Sequence, residues 1–247
     1  MKKLKYILFC LPLLILAYSC GGLQFEFQKK AIDDVIRANA DMPNFEIILL
    51  DMDFKEDTET FLHQYQLLYP PKNNPDTLIA KTLDWVKVSQ DEFVANQENL
   101  GMALASKSKG VIEKTASPAG YNQHIGNEKY GQWQRNSSGG SFWSFYGKYM
   151  FMSSMFNLAF APARYSGWND YNRNYRGRRS YYGGSGSSRR YGTGTNGNYG
   201  RNWKSKPKSF KQRVSSRVQR SRSTRTTRSS SRYRKSSFRS RGGGFGK

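Results

Sequence analysis

Residues Phe142 to Phe160 read FWSFYGKYMFMSSMFNLAF, and this apolar stretch separates two halves of very different composition. Residues 21–120 contain 16 acidic and 10 basic side chains, whereas residues 161–247 contain 24 basic side chains and one acid, Asp170. The net charge of the 247-residue chain is +22, so the second half accounts for it. The composition therefore predicts one small folded domain before the stretch and a basic tail after it.

On a helical wheel, residues 142–160 place large apolar side chains on one side and small or polar ones on the other. We therefore predict an amphipathic aromatic helix here. Its apolar face has three candidate partners: the preceding domain, a membrane surface, or a bilayer core in which Lys148 would cost about 2.5–3.5 kcal/mol. The residues predicted to make this membrane or domain contact are Phe142, Trp143, Phe145, Tyr149, Phe156 and Phe160.

The first 19 residues have the pattern of an export signal. Three lysines within the first five residues precede 12 apolar residues, Tyr6 to Ala17, which are too few for a membrane span. The ending Leu16-Ala17-Tyr18-Ser19-Cys20 resembles the lipobox of bacterial lipoproteins. The resemblance implies cleavage after residue 19 and acylation of Cys20, and several acyl chains on one residue suffice for stable membrane anchoring.

Cysteine usage agrees with an exported, anchored chain. Cys10 would leave with the signal and Cys20 would carry lipid, so no thiol would remain for a disulfide or for catalysis. Residues 20–27 would form a lipidated tether. We expect a lipoprotein of the cell envelope at the periplasmic face of an outer membrane, with an ordinary secreted protein and an uncleaved anchor as the alternatives.

Hydrophobic periodicity predicts a small α+β domain over residues 28–118, with one or two helices on a small antiparallel sheet. A Gly/Asn-rich linker over 119–141 would follow it. The predicted elements are a helix over 28–39, strands over 44–54 and 59–69 joined as an antiparallel pair, a proline-rich loop over 70–75, a strand within 78–88, a short helix capped by Ser89 and Glu92, and a hairpin within 102–115.

Candidate catalytic and metal sites in this half are weak. Asp51-x-Asp53 with the acids that follow resembles a calcium loop, but Lys55 occupies a ligand position and Glu56 replaces the glycine of the turn. A solvated hairpin is therefore favoured over a metal site. His63 and His124 have no spacing suited to zinc. We predict no cofactor, no metal and no enzymatic activity, although an unrecognised catalytic site in residues 24–120 stays open.

Residues 161–247 combine high net charge with few aliphatic side chains, which predicts disorder. The segment ends in Arg-Gly-Gly-Gly-Phe-Gly-Lys, similar to the RGG/RS tails of RNA-binding proteins. Its favourable partners are anionic lipid, lipopolysaccharide or another polyanion. The residues predicted to bind these anions are Arg213, Arg217, Arg220, Arg222, Arg225, Arg228, Arg232, Arg234, Lys235, Arg239 and Arg241.

The order of these features resembles a group of small uncharacterised bacterial lipoproteins. The shared features are the signal with Cys20, Gly140-Ser141-Phe142-Trp143 at the start of an aromatic segment, and a Ser/Arg tail ending in an RGG-like sequence. The resemblance implies an envelope location and no particular chemistry. The sequence thus favours a non-catalytic lipoprotein whose tail binds polyanions or lipid head groups, and whose acidic domain has an unknown protein partner. The alternative is a nucleic-acid-binding protein.

Overall fold

The structure, a computed structural model, describes residues 30–137, 139–193 and 199–217. The predicted signal peptide and the tether that begins at Cys20 lie outside these residues. The described chain forms a seven-stranded antiparallel sheet, a second sheet of two strands, and several short helices. This architecture confirms the α+β class.

The first helix and the central strands match the periodicity of the sequence. Helix α1 (Ala31–Ala38) buries its apolar stripe, and strands β1 (Phe45–Lys55) and β2 (Thr60–Tyr69) form the predicted antiparallel pair. The remaining elements of this half are β3 (Ile79–Thr82), β4 (Val86–Lys87), α2 (Gln90–Ala95), β5 (Met102–Ser108), β6 (Val111–Glu113) and β7 (Ser117–Pro118). The sheet has the order β3-β2-β1-β5-β6, with β4 also paired to β2 and β7 to β5.

Strand β1 contains an irregularity that the sequence pattern does not reveal. Strict alternation predicts that Ile48, Met52 and Phe54 share one face of the sheet. The pairing of β1 with β2 shifts register between Leu49 and Asp51, which is the signature of a β-bulge. Met52 and Phe54 consequently lie in one core and Ile48 in the other, so the predicted alternation is wrong beyond the bulge.

Each face of the main sheet carries its own core. The helix-side core lies under α1, α2 and the last described residues, and it includes Ile32, Val35, Phe45, Ile47, Leu49, Phe93, Trp203, Phe210 and Val214. The aromatic core lies on the opposite face, and it includes Ile48, Leu68, Tyr121, Trp143, Phe145, Tyr149, Phe156, Tyr171, Tyr181 and Tyr199.

The single helix predicted over residues 142–160 is wrong. Strands β8 (Gly131–Arg135) and β9 (Ser141–Phe145) pair in register, and β9 leads into a 3₁₀ turn at Gly147–Tyr149 and a short helix, α3 (Phe151–Met155). Pairing with β8 supplies β9 with backbone partners, which a helical wheel cannot anticipate. The start of the stretch therefore alternates with a strand period and buries Trp143 and Phe145.

The prediction of disorder from residue 161 is wrong for residues 161–193 and 199–217. They form α4 (Tyr165–Asp170), a π-helical turn at Tyr171–Tyr175, a 3₁₀ turn at Gly186–Ser188, α5 (Arg201–Ser205) and a helical segment, α6, over 208–217. Aromatic side chains each bury a large area, so a count of aliphatic residues underestimates the core of this segment. Residues 194–198 and 218–247 lie outside the described ranges.

Candidate functional site

A groove with a volume of about 1170 Å³ opens beside the two-stranded sheet. Strand β9 contributes Phe142 and Trp143 to its lining, and the chain on either side of α3 contributes Met150 and Leu158. Tyr165, the first residue of α4, also lines the groove. No acidic residue is among the described side chains that line it. The polar part of the lining is provided by Asn136, Ser141, Ser144, Ser153, Ser154, Arg164 and Ser166.

Large apolar side chains lie exposed on and near the rim of this groove. Met150 is 51% exposed and Tyr165 is 47% exposed, although both line the groove. Phe151 and Phe160, next to lining residues in the chain, are 41% and 69% exposed. Exposed apolar groups clustered around a concavity are typical of a contact surface.

A smaller cleft of about 260 Å³ adjoins the groove, and the two share Arg164 and Ser166 as lining residues. Arg190 and Asp170 also line the cleft. Within the described ranges, neither arginine forms an ion pair with an acid. Asp170 accepts a hydrogen bond at its Oδ1 from the Asn174 side chain at 2.8 Å. The formal charge of the cleft is therefore +1.

Two tyrosines complete the cleft, and one of them has an unused hydroxyl. Tyr181 is only 6% exposed, and its hydroxyl has no hydrogen-bond partner among the described residues. Burial raises the pKa of Tyr181 to about 12, so the hydroxyl stays protonated and can donate. Burial also raises the pKa of Tyr191. The hydrogen bond with the Tyr121 hydroxyl, 2.6 Å away, and the charges of Arg190 and Arg164 oppose this rise.

The acidic β1–β2 hairpin contacts the basic C-terminal helices. The Asp51 carboxylate accepts hydrogen bonds from the backbone N–H groups of Asn202 at 2.9 Å and Trp203 at 3.2 Å. The Lys206 Nζ lies 3.1 Å from an Asp53 oxygen. In the described part of the chain, no group of three His, Cys, Asp or Glu side chains is placed to hold a metal ion.

Two of the predicted anion-binding arginines lie on the same hairpin. Arg213 lies 3.4 Å from a Glu56 oxygen, and Arg217 pairs with Glu59. Internal pairing was not expected for these cations. The other predicted anion-binding residues, from Arg220 to Arg241, lie outside the described residues, as does the predicted lipidation site Cys20.

The predicted aromatic contact residues divide into a buried group and an exposed one. Trp143, Phe145, Tyr149 and Phe156 are at most 6% exposed and lie in the aromatic core. Phe142 is half-buried along the groove, and Phe160 is exposed. Of the helices in the described ranges, none has the length and apolar content that a bilayer crossing requires.

Both histidines are buried and bonded inside the protein. His63 Nδ1 lies 3.0 Å from the Tyr65 hydroxyl, and burial lowers the pKa of His63 to about 3, so the ring is neutral. His124 Nδ1 lies 3.1 Å from one carboxylate oxygen of Glu46, and the other oxygen accepts the Gly120 backbone N–H at 2.7 Å. These contacts stabilise the cores, and neither ring faces the groove.

The sequence did not single out the residues of the cleft. Arg164 and Arg190 each precede a tyrosine, but 26 positions separate them and no motif links them. The chain matches no protein-family model, no curated protein sequence and no solved structure in comparisons of each kind. The groove, the cleft and the distribution of charge are therefore the features of this chain that point to a function.

Proposed function

We propose that this protein is a non-catalytic lipoprotein of the cell envelope. Acyl chains on Cys20 anchor it, and the basic residues beyond Arg217 bind anionic lipid head groups or envelope polyanions. The location follows from the lipobox-type signal. The binding role follows from the way in which charge is distributed between the folded part and the end of the chain.

The main support for the binding proposal is that no acidic side chain occurs among the basic residues at the end of the sequence. The last acid of the sequence is Asp170, and the hairpin acids Glu56 and Glu59 are already paired with Arg213 and Arg217. Ten further basic residues follow residue 217 with no acid among them. Their strongest available partners are multivalent anions, because binding releases the counterions that such polymers carry.

The magnitude is sufficient for a membrane-bound protein. A basic residue near an anionic membrane surface gains about 1 kcal/mol, so one third of the ten residues would contribute about 3 kcal/mol. That gain is modest for a free protein in solution. It becomes effective when the acyl chains on Cys20 already hold the chain at the surface, because the second contact is then intramolecular.

Labelling and deletion test the two halves of this proposal. Radiolabelled palmitate should enter the wild-type chain and not Cys20→Ser. A chain lacking residues 1–20 should bind anionic vesicles and lipopolysaccharide at low salt, and binding should weaken steeply with added salt. Deletion of residues 218–247 should remove most of this salt-dependent binding, and this deletion leaves both described cores intact.

Other outcomes would redirect the proposal. An unlabelled chain that stays in the cytoplasm and binds nucleic acid far more tightly than vesicles would favour the nucleic-acid-binding alternative. Salt-insensitive vesicle binding that survives the deletion would show that the polyanion contact does not lie beyond residue 217.

A further inference from the structure

We propose that the groove and the adjoining cleft together bind one anionic phospholipid molecule, with its phosphate between Arg164 and Arg190 and its acyl chain along the groove. This site lies in the folded part of the chain. It is separate from the polyanion-binding residues beyond Arg217 and does not depend on them.

Charge complementarity identifies the head group. Arg164 and Arg190 line the same cleft, neither is paired with an acid in the described part of the chain, and guanidinium groups bind phosphate through two parallel hydrogen bonds. Asp170 leaves the cleft with a charge of +1, which matches one phosphodiester. A head group with several negative charges would be less well balanced.

The hydroxyl of Tyr181 offers a polar ligand in the cleft a neutral hydrogen-bond donor beside the two arginines. The ring of Tyr181 lies in the aromatic core, while its hydroxyl has no hydrogen-bond partner among the described residues and is accessible from the cleft. Ser166 lies where the cleft meets the groove and adds another hydroxyl. A phosphate oxygen in the cleft would provide the acceptor that Tyr181 lacks.

The groove is better suited to an acyl chain than to a sugar. Sugars stack on exposed aromatic faces, but Trp143 is only 4% exposed and Phe142 is half-buried, which leaves Tyr165 as the one exposed ring among the described lining residues. Met150, Leu158 and Pro162 offer flexible or aliphatic contacts instead. The exposed Phe160 beside the groove would lie towards the apolar region of a membrane from which such a lipid is drawn.

Isothermal titration with a short-chain lipid tests the site in solution. The protein is the chain from residue 20 onward with Cys20→Ser, and the probe is monomeric dihexanoyl phosphatidylglycerol. Inorganic phosphate and dihexanoylglycerol represent the head and the chains alone, and each should bind much more weakly than the lipid. Arg164→Gln and Arg190→Gln should each weaken lipid binding about tenfold, because each removes a charge-assisted hydrogen bond.

Matched variants separate this site from general charge effects. Arg178→Gln removes one exposed arginine that does not line the cleft, and it should leave lipid affinity unchanged. Ala159→Trp should narrow the groove and weaken lipid binding, but the affinity for inorganic phosphate should not change. Dihexanoyl phosphatidylcholine should bind more weakly than dihexanoyl phosphatidylglycerol, because the head group of phosphatidylcholine carries no net charge.

Two results would overturn the inference. Equal losses of lipid affinity in Arg164→Gln, Arg190→Gln and Arg178→Gln would show that binding depends only on the overall charge of the protein. Lipid binding that disappears when residues 218–247 are deleted, but persists in the cleft variants, would assign it to the C-terminal residues and leave the proposed function standing.

Discussion

Replacing Trp203 with alanine should destabilise the whole protein, although Trp203 lies in the segment whose composition predicts disorder. Trp203 is 4% exposed, and its ring contacts Phe93 edge-on at 5.2 Å between centroids. It also lies 6.3 Å from the ring of Phe210, which joins it in the helix-side core. Removing the indole would therefore open a cavity between α2 and the C-terminal helices.

The expected loss follows from the size and burial of the ring. Truncation of a buried Trp or Phe to alanine costs about 3–5 kcal/mol, from lost transfer energy together with the cavity that remains. For a chain of this size, 1 kcal/mol corresponds to about 2–4 °C in Tm. We therefore expect Trp203→Ala to lower Tm by about 6–20 °C.

Urea and thermal unfolding of the chain lacking residues 1–20, followed by circular dichroism, provide the measurement. Trp85→Ala is the matched control, because Trp85 is 36% exposed in the connection between β3 and β4. This variant should lower the free energy of unfolding by about 1 kcal/mol or less. Equal stabilities for the two variants would refute the packing of residues 199–217 on the helix-side core.

Three further outcomes are expected. Gly126→Ala should lower the free energy of unfolding in urea by about 1–3 kcal/mol more than Gly139→Ala does. Both glycines have φ of +80°, but only at Gly126 would an added Cβ meet a ring, that of Trp168 at 2.3 Å. Burial lowers the pKa of His63 from the ordinary value of 6.5 to about 3. Below pH 6.5 the unfolded chain therefore takes up a proton that the folded chain excludes. The free energy of unfolding should fall by up to about 1.4 kcal/mol per pH unit as the pH drops towards 3. His63→Phe should make that decline shallower, and an unchanged slope would contradict the assignment. Brief trypsin treatment should leave a fragment that extends to about Arg217, detected by mass spectrometry, whereas a fragment ending before α4 would argue against the described fold of that region.

Local patterns predicted most elements of the first half of the fold, although the single strand expected within 78–88 is divided into β3 and β4. Alternation in β1 and β2 predicted their antiparallel pairing, and the spacing of Ser89 and Glu92 predicted the start of α2, where the Ser89 hydroxyl oxygen accepts the Glu92 N–H at 3.1 Å. The Glu92 carboxylate does not bond back to its own cap. It accepts backbone N–H groups from Ala31 at 2.9 Å and Ile32 at 3.3 Å, a contact across 60 residues that no local rule contains.

The second half was mispredicted because its partners are distant in sequence. The hairpin acids were expected to face solvent, yet Asp51 caps the N-terminus of α5 from 151 positions away. The bulge in β1 makes this possible. The Leu50 carbonyl, at the bulge, accepts the Gly200 N–H at 2.8 Å, so the C-terminal segment crosses from the aromatic core at Tyr199 to the helix-side core at Trp203.

The abundance of glycine and tyrosine after residue 119 has a structural explanation that a disorder argument overlooks. A glycine next to an aromatic ring lets the ring pack directly on the backbone, and a Cβ at Gly120 would lie 2.4 Å from the ring of Phe156. The same close approach occurs between Gly101 and Tyr199 at 2.6 Å. Glycine therefore contributes to the aromatic core by leaving space for rings, and each tyrosine of that core adds buried area together with a hydroxyl. One such hydroxyl, on Tyr181, remains available in the cleft between Arg164 and Arg190, so the composition that builds this layer also supplies a donor for the ligand proposed there.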